Sequence, residues 1–411
     1  MTTLIIILIP VFLAVGIFYY WFSWDIYDTF VKRRQGADPV CASCHQVFEI
    51  PDYICPQCKT VHRDLTKTLE HGFFYHKCRC GKRLPRYFLL GRWRLSAQCP
   101  HCRNSLGIHS ENLSYLVFPI VGGTSSGKTA FMNAMIVSFV DEVAKNRLIL
   151  KFPFSEDETL LARIQEQGNK GIPPHKTSER NPRAFCMNLT GPKLKQGKQI
   201  YLYDPAGEVF EKDDSLGRFR YYDYMQGVLL LIDPFSIPYL NRLLADGLKE
   251  QEQTFQVCRE EIENYYGRFI NGLKGISQIK EHEIHNAACA VVLTKSDAFG
   301  LESRLGEIPR QNLMKKMPGL SREDAMDHLC REHLKYWGMG HLLELIDEQF
   351  RVSRCFSVSA FGHQPAPAMP FTPVRVLEPF LWLLNEASPD LGTLLKKQPP
   401  ILEKQPPMHR S

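Results

Sequence analysis

The sequence predicts an α/β fold with a mostly parallel central sheet covered by helices, and three observations predict it. Near-continuous apolar runs of strand length recur between residues 115 and 358, among them 115–121, 227–233 and 288–293. Stretches with helical spacing lie between them, and strands apolar on both faces suit a parallel sheet sandwiched by helices. The first run leads at once into a glycine-rich loop and a helical pattern, which puts a ligand site at the C-terminal edge of that sheet. Two smaller units are predicted ahead of it: an apolar membrane helix and a cysteine-rich module.

Residues 2–24 (TTLIIILIPVFLAVGIFYYWFSW) carry no charge. As a helix they are long enough to cross the roughly 30 Å of a bilayer's hydrocarbon, with Tyr19, Tyr20, Trp21 and Trp24 as an interfacial belt. A cleaved signal peptide is disfavoured, since the run has no basic start and no small-x-small site after it. Lys32, Arg33 and Arg34 follow within a linker, 25–40. A single span is therefore expected, with the N-terminus outside and everything from Asp25 onward in the cytoplasm.

Eight of the 13 cysteines fall in residues 41–110 as four close pairs: Cys41 and Cys44, Cys55 and Cys58, Cys78 and Cys80, Cys99 and Cys102. Four thiolates complete a Zn2+ tetrahedron, and a short knuckle supplies two of them with little loop to close. Two structural zinc ribbons are expected, the first closed by Cys41, Cys44, Cys55 and Cys58 and the second by Cys78, Cys80, Cys99 and Cys102. His45, His62, His76 and His101 are then non-ligands, and disulfides are disfavoured on a reducing side of the membrane. The segment has few apolar residues, so its metals contribute much of its folding free energy.

Charge is uneven in the same region. Residues 25–115 hold 14 basic and 8 acidic side chains, and the remainder of the chain is balanced. From Lys77 to Arg103 eight basic residues occur with no acidic one, interleaved with Tyr87, Phe88 and Trp93. Such a patch suits anionic lipid, an acidic protein or nucleic acid, or is simply a solvated face. The nearby membrane anchor favours lipid or protein over nucleic acid, and the large domain carries no polyanion signal.

Residues 122–129 read GGTSSGKT, the P-loop pattern, with Gly122, Gly127, Lys128 and Thr129 at its defining places. Between a strand and a helix, such a loop points successive N–H groups into one concavity while the helix adds its N-terminal dipole. Gly122, Gly123, Thr124, Ser125, Ser126, Gly127 and Ala130 are thus expected to cradle a phosphate chain. Lys128 bridges its terminal phosphates and Thr129 holds Mg2+. The sheet continues through strands at 184–189, 197–204, 227–233, 288–293 and a shorter one at 354–358. Helices are expected at 155–167, 321–349 and 373–386, and long amphipathic ones between 234 and 286, where Leu240, Leu244, Ile262, Tyr265, Tyr266 and Phe269 mark a packing surface. Residues 168–183 have neither period nor apolar face, and 391–411 read as a disordered tail.

Three further motifs stand at strand ends: Asp204-Pro-Ala-Gly207, Thr294-Lys-Ser-Asp297 and Ser359-Ala360. With the P-loop, they make residues 115–390 resemble the Ras-like, translation-factor-related class of P-loop GTPases. The whole arrangement resembles divergent bacterial GTPase domains found with membrane segments and zinc ribbons. The resemblance implies a P-loop NTPase domain that binds GTP and GDP. Asp297 would accept two hydrogen bonds from guanine, Lys295 would lie over the purine, Thr294 would brace the loop and Ala360, beside Ser359, would meet the guanine oxygen. It implies too that Asp204 holds Mg2+ through water and that the Gly207 N–H senses the terminal phosphate. A switch threonine would complete the Mg2+ shell, for which Thr177 is the first candidate by position and Thr159 the second.

Glu208 occupies the place where members of the class carry a water-orienting glutamine. The expectation is a membrane-anchored switch, Lys128, Thr177 and Glu208 forming its catalytic set, that hydrolyses GTP slowly and answers to a protein partner or to self-association. A non-hydrolysing nucleotide-bound scaffold built around the ribbons is the rival, and an ATPase is disfavoured by Asp297.

Overall fold

A computed structural model describes residues 23, 26, 39–63, 65, 74–106, 113–175, 183–204, 220–245, 247, 256–258, 261–276, 285–366 and 368–395. Among these, no helix is long and apolar enough to cross a membrane. The span expected at 2–24 lies, Ser23 apart, outside the described residues.

The cysteine module is built on β1 (Asp52–Ile54), which pairs antiparallel with β2 (Val61–His62) on one side and β5 (Ser96–Gln98) on the other. A separate hairpin joins β3 (Tyr75–Lys77) to β4 (Arg83–Pro85). Phe48, Tyr53, Leu65, Leu84, Ala97 and Leu106 fill a small core together with the buried cysteines.

Contrary to the expectation from the sequence, the ribbons do not close locally. Asp52 sits opposite Gln98, so the knuckle that follows β5 comes beside the one that precedes β1. Cys41, Cys44, Cys99 and Cys102 form one tetrad, and Cys55, Cys58, Cys78 and Cys80, at the other end of β1, form the second. Short-range closure was the cheaper loop, but the pairing of β1 with β5 decides the partners.

The basic stretch also divides. Arg86 and Arg92 are 3% and 4% exposed. The Arg86 Nε donates to the Leu65 carbonyl at 3.0 Å, and the Arg92 Nη1 donates to the Arg86 carbonyl at 2.7 Å. Two of the eight cations therefore brace the module's interior rather than a ligand-facing surface.

The large domain is a seven-stranded sheet in the order β12-β11-β10-β6-β9-β8-β7. These are β6 (Leu113–Val121), β7 (Ile149–Lys151), β8 (Phe185–Thr190), β9 (Gly197–Tyr203), β10 (Gly227–Ile232), β11 (His285–Leu293) and β12 (Phe350–Ser357). Neighbours from β12 through β9 run parallel, and β8 runs against β9 and β7. The last strand starts four residues ahead of its expected position, at Phe350, where Arg351 and Ser353 interrupt the apolar pattern. Pro119 has no N–H to give to the β6–β10 ladder, which is confined to Ile120 and Val121. Upstream, the Val117 N–H donates instead to Gln226 Oε1 at 2.7 Å.

Side chains of β6 alternate between two cores, as period-2 geometry requires. Leu116, Phe118 and Ile120 meet Phe131, Met135, Ile136 and Phe139 of α1 (Lys128–Lys145), along with Phe380, Leu383 and Leu384 of a C-terminal helix. Tyr115, Val117 and Val121 face the opposite layer, where Tyr265, Tyr266 and Phe269 pack with Met326, Leu342 and Ile346. Each α1 residue named is buried on the face set by i, i+4, i+5 and i+8 spacing, and truncating Phe139 to Ala costs about 3 to 5 kcal/mol.

The remaining α-helices whose bounds fall among the described residues are α2 (Ser155–Asn169), α3 (Pro238–Leu243), α4 (Ile262–Ile276), α5 (Glu302–Leu305), α6 (Glu307–Lys316), α7 (Arg322–Tyr336), α8 (Gly340–Gln349), α9 (Glu378–Ala387) and α10 (Pro389–Leu395). Of the long helices expected between 234 and 286, the described residues contain the six-residue α3 and the full-length α4. Buried Leu391 and Leu395 on α10 join the core, so the domain boundary expected at 390 moves to 395.

Candidate functional site

The C-terminal ends of β6, β9, β10, β11 and β12 meet at one edge, and every described motif residue stands there. Residues 122–127 leave β6 and curl into α1, with Ser125 at φ 64° and Gly127 at φ 91°. A Cβ on Gly122 would lie 2.6 Å from Ser126 Oγ and 2.9 Å from the Leu231 carbonyl, so only glycine lets the loop pass that close to β10. The Lys128 side chain, 8% exposed, turns back over the loop. Its Nζ donates to the Gly122 and Gly123 carbonyls at 2.5 and 3.0 Å.

Asp204 follows the last residue of β9, and its Oδ2 accepts from Thr129 Oγ1 at 2.7 Å. Two residues 75 positions apart, each expected from the sequence to hold Mg2+, are thereby adjacent. A hydroxyl and a carboxylate are hard oxygen donors of the kind Mg2+ takes, so the pair fits that ion.

Thr294 and Lys295 extend from β11. The Thr294 hydroxyl donates to the Ser126 carbonyl at 2.9 Å, which ties this loop to the P-loop. Lys295, at φ 57°, sends its Nζ to Asp233 Oδ2 at 2.7 Å, to the Ser125 carbonyl at 3.0 Å and to the Gln256 carbonyl at 2.5 Å. The ammonium is thus fixed at three points, which holds the stem above it in place. Asp297 is half-buried, and the Ser296 N–H beside it donates to the Val358 carbonyl at 3.1 Å. Ser359 is buried and takes the Gly362 N–H on its Oγ at 2.7 Å, which shapes the turn around Ala360.

Five supporting residues were not legible as such in the sequence. Asp233 anchors Lys295 and also accepts from the Phe235 and Cys258 N–H groups at 3.1 and 2.9 Å. Gln256 reaches Ser125, whose Oγ donates to its Oε1 at 3.4 Å. Tyr265 was expected only to pack, yet its hydroxyl donates to the Gly122 carbonyl at 2.8 Å, and Tyr266 likewise bonds the Leu231 carbonyl. Arg375 grips Glu302 with two 2.6 Å bonds while reaching the Ser357 carbonyl and Ser296 Oγ, at 2.8 and 3.2 Å, and so clamps the Thr294 and Ser359 loops together. Only Asp233, which ends an apolar strand, carried a signal.

Thr177, Gly207 and Glu208 lie outside the described residues. Thr159, the second switch candidate, is on α2 and donates to its own helix's Ser155 carbonyl at 2.9 Å. Its hydroxyl is thus engaged within its own helix. The approach to Thr177 is held against the far side of the site. The Phe371 N–H donates to the Gly168 carbonyl at 3.0 Å, and Gly171, at φ 66°, lies against the Ala366 and Met369 carbonyls.

Residues 116–328 match the family model described as Double-GTPase 2, which is more than half of the chain. The chain belongs to the Double-GTPase 2 family. This Double-GTPase 2 protein is accordingly a divergent P-loop GTPase that binds GTP, and its family implies Mg2+ as the companion ion. A search of curated proteins finds no match. Among solved structures, the Arl6 BBS3 small GTPase from Trypanosoma brucei with the bound nucleotide analogue GppNp is similar over 67% of this chain and 99% of that one. The identity is 15% and the TM-score 0.28, too low for that likeness to carry any argument.

Both tetrads of the Double-GTPase 2 chain fit zinc. Zn–S bonds of about 2.3 Å in a tetrahedron put sulfurs about 3.8 Å apart. The Sγ separations are 3.6 Å for Cys41 to Cys102, 3.7 Å for Cys44 to Cys99, 3.7 Å for Cys55 to Cys80 and 3.4 Å for Cys58 to Cys78. All are far too long for a disulfide. His62 Nε2 lies 3.2 Å from Cys78 Sγ, a sulfur contact outside a complete four-thiolate set.

Proposed function

We propose that this chain is a membrane-anchored GTPase that binds GTP with Mg2+, hydrolyses it slowly, and engages a protein partner or a second copy of itself in one nucleotide state. The observation that carries the nucleotide part is the Thr129 to Asp204 hydrogen bond at the mouth of the P-loop. In this reading the N–H groups of residues 123–130 cradle the phosphates, and Lys128 swings from the Gly122 and Gly123 carbonyls to the terminal ones. Thr129 and Asp204 hold Mg2+, with Thr177 joining them when the terminal phosphate is present. The bound ion neutralises charge on the phosphate oxygens. Gly207 reports the terminal phosphate through its N–H.

Asp297 selects the base: a carboxylate accepts from two guanine donors that adenine does not present together. Lys295, pinned by Asp233 and Ser125, supplies the stem that covers the purine, and the turn held by Ser359 presents the Ala360 N–H. Two zinc ions on the cysteine tetrads hold the small module together. The uncharged run 2–24 and the following Lys32, Arg33 and Arg34 support the anchor and its orientation.

Titration of the full chain with GTP, GDP and ATP, with and without Mg2+, tests the reading. Guanine nucleotides should bind at least tenfold more tightly than ATP, and Mg2+ should strengthen GTP binding. Equal affinity for ATP would refute the base assignment. Protease added to right-side-out vesicles should leave the large domain intact, and its digestion from that side would reverse the orientation. Glu208, a carboxylate where a donor amide serves catalysis best, supports a second reading, a nucleotide-bound scaffold with negligible turnover.

A further inference from the structure

The knuckle carrying Cys41 and Cys44 is seated inside the GTPase domain. Ala42, 2% exposed, belongs to that domain's core cluster, and its carbonyl accepts the Ala184 N–H at the start of β8, at 3.0 Å. On the same side the Tyr201 hydroxyl donates to the Val40 carbonyl at 3.1 Å, and the Tyr224 hydroxyl donates to the His45 carbonyl at 2.9 Å. His45 is 1% exposed and sits in the left-handed conformation at φ 59°. That turn is closed by its N–H on the Cys41 carbonyl at 3.0 Å. The same turn brings two thiolates to one ion.

The His45 ring stands edge-on to two tyrosines, with centroids 4.8 Å from Tyr203 and 5.2 Å from Tyr221. Those two rings stack on each other at 4.3 Å and 7°. Tyr203 immediately precedes Asp204, and Tyr221 lies just beyond the segment that begins with Asp204-Pro-Ala-Gly207. A single aromatic stack therefore pins both ends of the loop that carries the terminal-phosphate sensor, and His45 caps that stack. The hydrogen bonds described for the cysteines of the other tetrad, to Lys59, Thr60, His62, Gly81 and Lys82, all stay within the module itself.

We propose that the Cys41, Cys44, Cys99 and Cys102 metal site and the Thr129 and Asp204 site are linked, with His45 as the positioning residue between them, so that metal and GTP·Mg2+ strengthen each other's binding. The linkage rests on the assignment of Thr129 and Asp204 to the nucleotide's Mg2+. Metal in the tetrad holds the knuckle, the knuckle holds the Tyr203 and Tyr221 pair, and the pair sets Asp204 beside Thr129. Loss of the ion frees the knuckle and loosens that placement. By reciprocity, GTP·Mg2+ then tightens the hold on this ion and leaves the other unaffected.

The full chain loaded with zinc is challenged with a chromogenic chelator, with and without a non-hydrolysable GTP analogue and Mg2+, and the release of each ion is followed. One ion should leave about tenfold more slowly with nucleotide, within the range usual for linked sites, while the other keeps its rate. Cys58→Ser, which removes a ligand of the other tetrad, assigns the protected ion. His45→Ala should abolish the protection and His45→Phe, which keeps a ring against both tyrosines, should restore it. Equal release rates in a sample that demonstrably binds the analogue would overturn the linkage, as would undiminished protection in His45→Ala. A chain that fails to bind the analogue would instead overturn the nucleotide assignment, and the linkage with it.

Discussion

Thr129 Oγ1 donates to Asp204 Oδ2 at 2.7 Å, joining the first turn of α1 to the end of β9. On the proposed reading, these are the two residues whose oxygens hold the nucleotide's Mg2+. Thr129→Val and Asp204→Asn should each lower GTP affinity in Mg2+ by about tenfold or more, consistent with about 1.5 to 3 kcal/mol for bonds to a charged group. In EDTA the variants should match the wild type. Calorimetric titration in the two buffers checks this, and an equal loss in both would assign the residues to the fold alone.

The nested tetrads make a prediction that locally closed ribbons do not share. Cys41→Ser and Cys99→Ser should each cost the same zinc ion, so the double variant should still hold one ion per chain. Closure within 41–58 and 78–102 would leave the double variant with none. Metal content by mass spectrometry under native conditions decides between them, and chelation of both ions should unfold residues 39–106.

Asp297→Asn should weaken GTP and GDP binding by at least tenfold and improve binding of xanthine nucleotides, because an amide offers one acceptor and one donor where the carboxylate offers two acceptors. Binding of GDP and XDP to the wild type and variant checks this. Unchanged GDP affinity would remove Asp297 from the site.

Much of this was legible in the sequence, and the parts that were not share a cause. β10, and β11 from Ala287 onward, are apolar because both faces are covered, so their runs stand out. The motifs stand at strand ends, so the sequence alone places Lys128, Thr129, Asp204, Thr294 and Asp297 on one sheet edge. β7 has three residues, two of them exposed, and carries no pattern at all. Pairing across distance was equally hidden: nothing local in Cys41 or Cys99 says that β1 will pair with β5. Arg86 and Arg92 look like surface charge until their carbonyl partners are known, and Tyr265 and Gln256 reach the P-loop from an insertion whose contacts only the fold supplies.

Gly171→Ala should strain the junction between α2 and the Ser359 loop. The backbone there is at φ 66°, and a Cβ would lie 2.8 Å from the Ala366 carbonyl. A cost of about 1 to 3 kcal/mol is expected for such a conformation. Each kcal/mol corresponds to about 2 to 4 °C of Tm in a domain of this size. Faster release of a fluorescent GDP should accompany the shift, since the strained contact borders the loop of Ser359 and Ala360. Thermal unfolding and stopped-flow release check both effects, and an unchanged Tm would deny the close approach.

The most direct test of a slow, externally governed switch is single-turnover GTP hydrolysis by the full chain at several protein concentrations, for the wild type, Glu208→Gln and Lys128→Ala. Turnover well below the roughly 1 to 100 per second of efficient phosphoryl-transfer enzymes, rising with protein concentration, faster in Glu208→Gln and lost in Lys128→Ala, is the predicted result. Fast, concentration-independent hydrolysis by the wild type, abolished equally in Glu208→Gln and Lys128→Ala, would contradict it and make Glu208 the catalytic base.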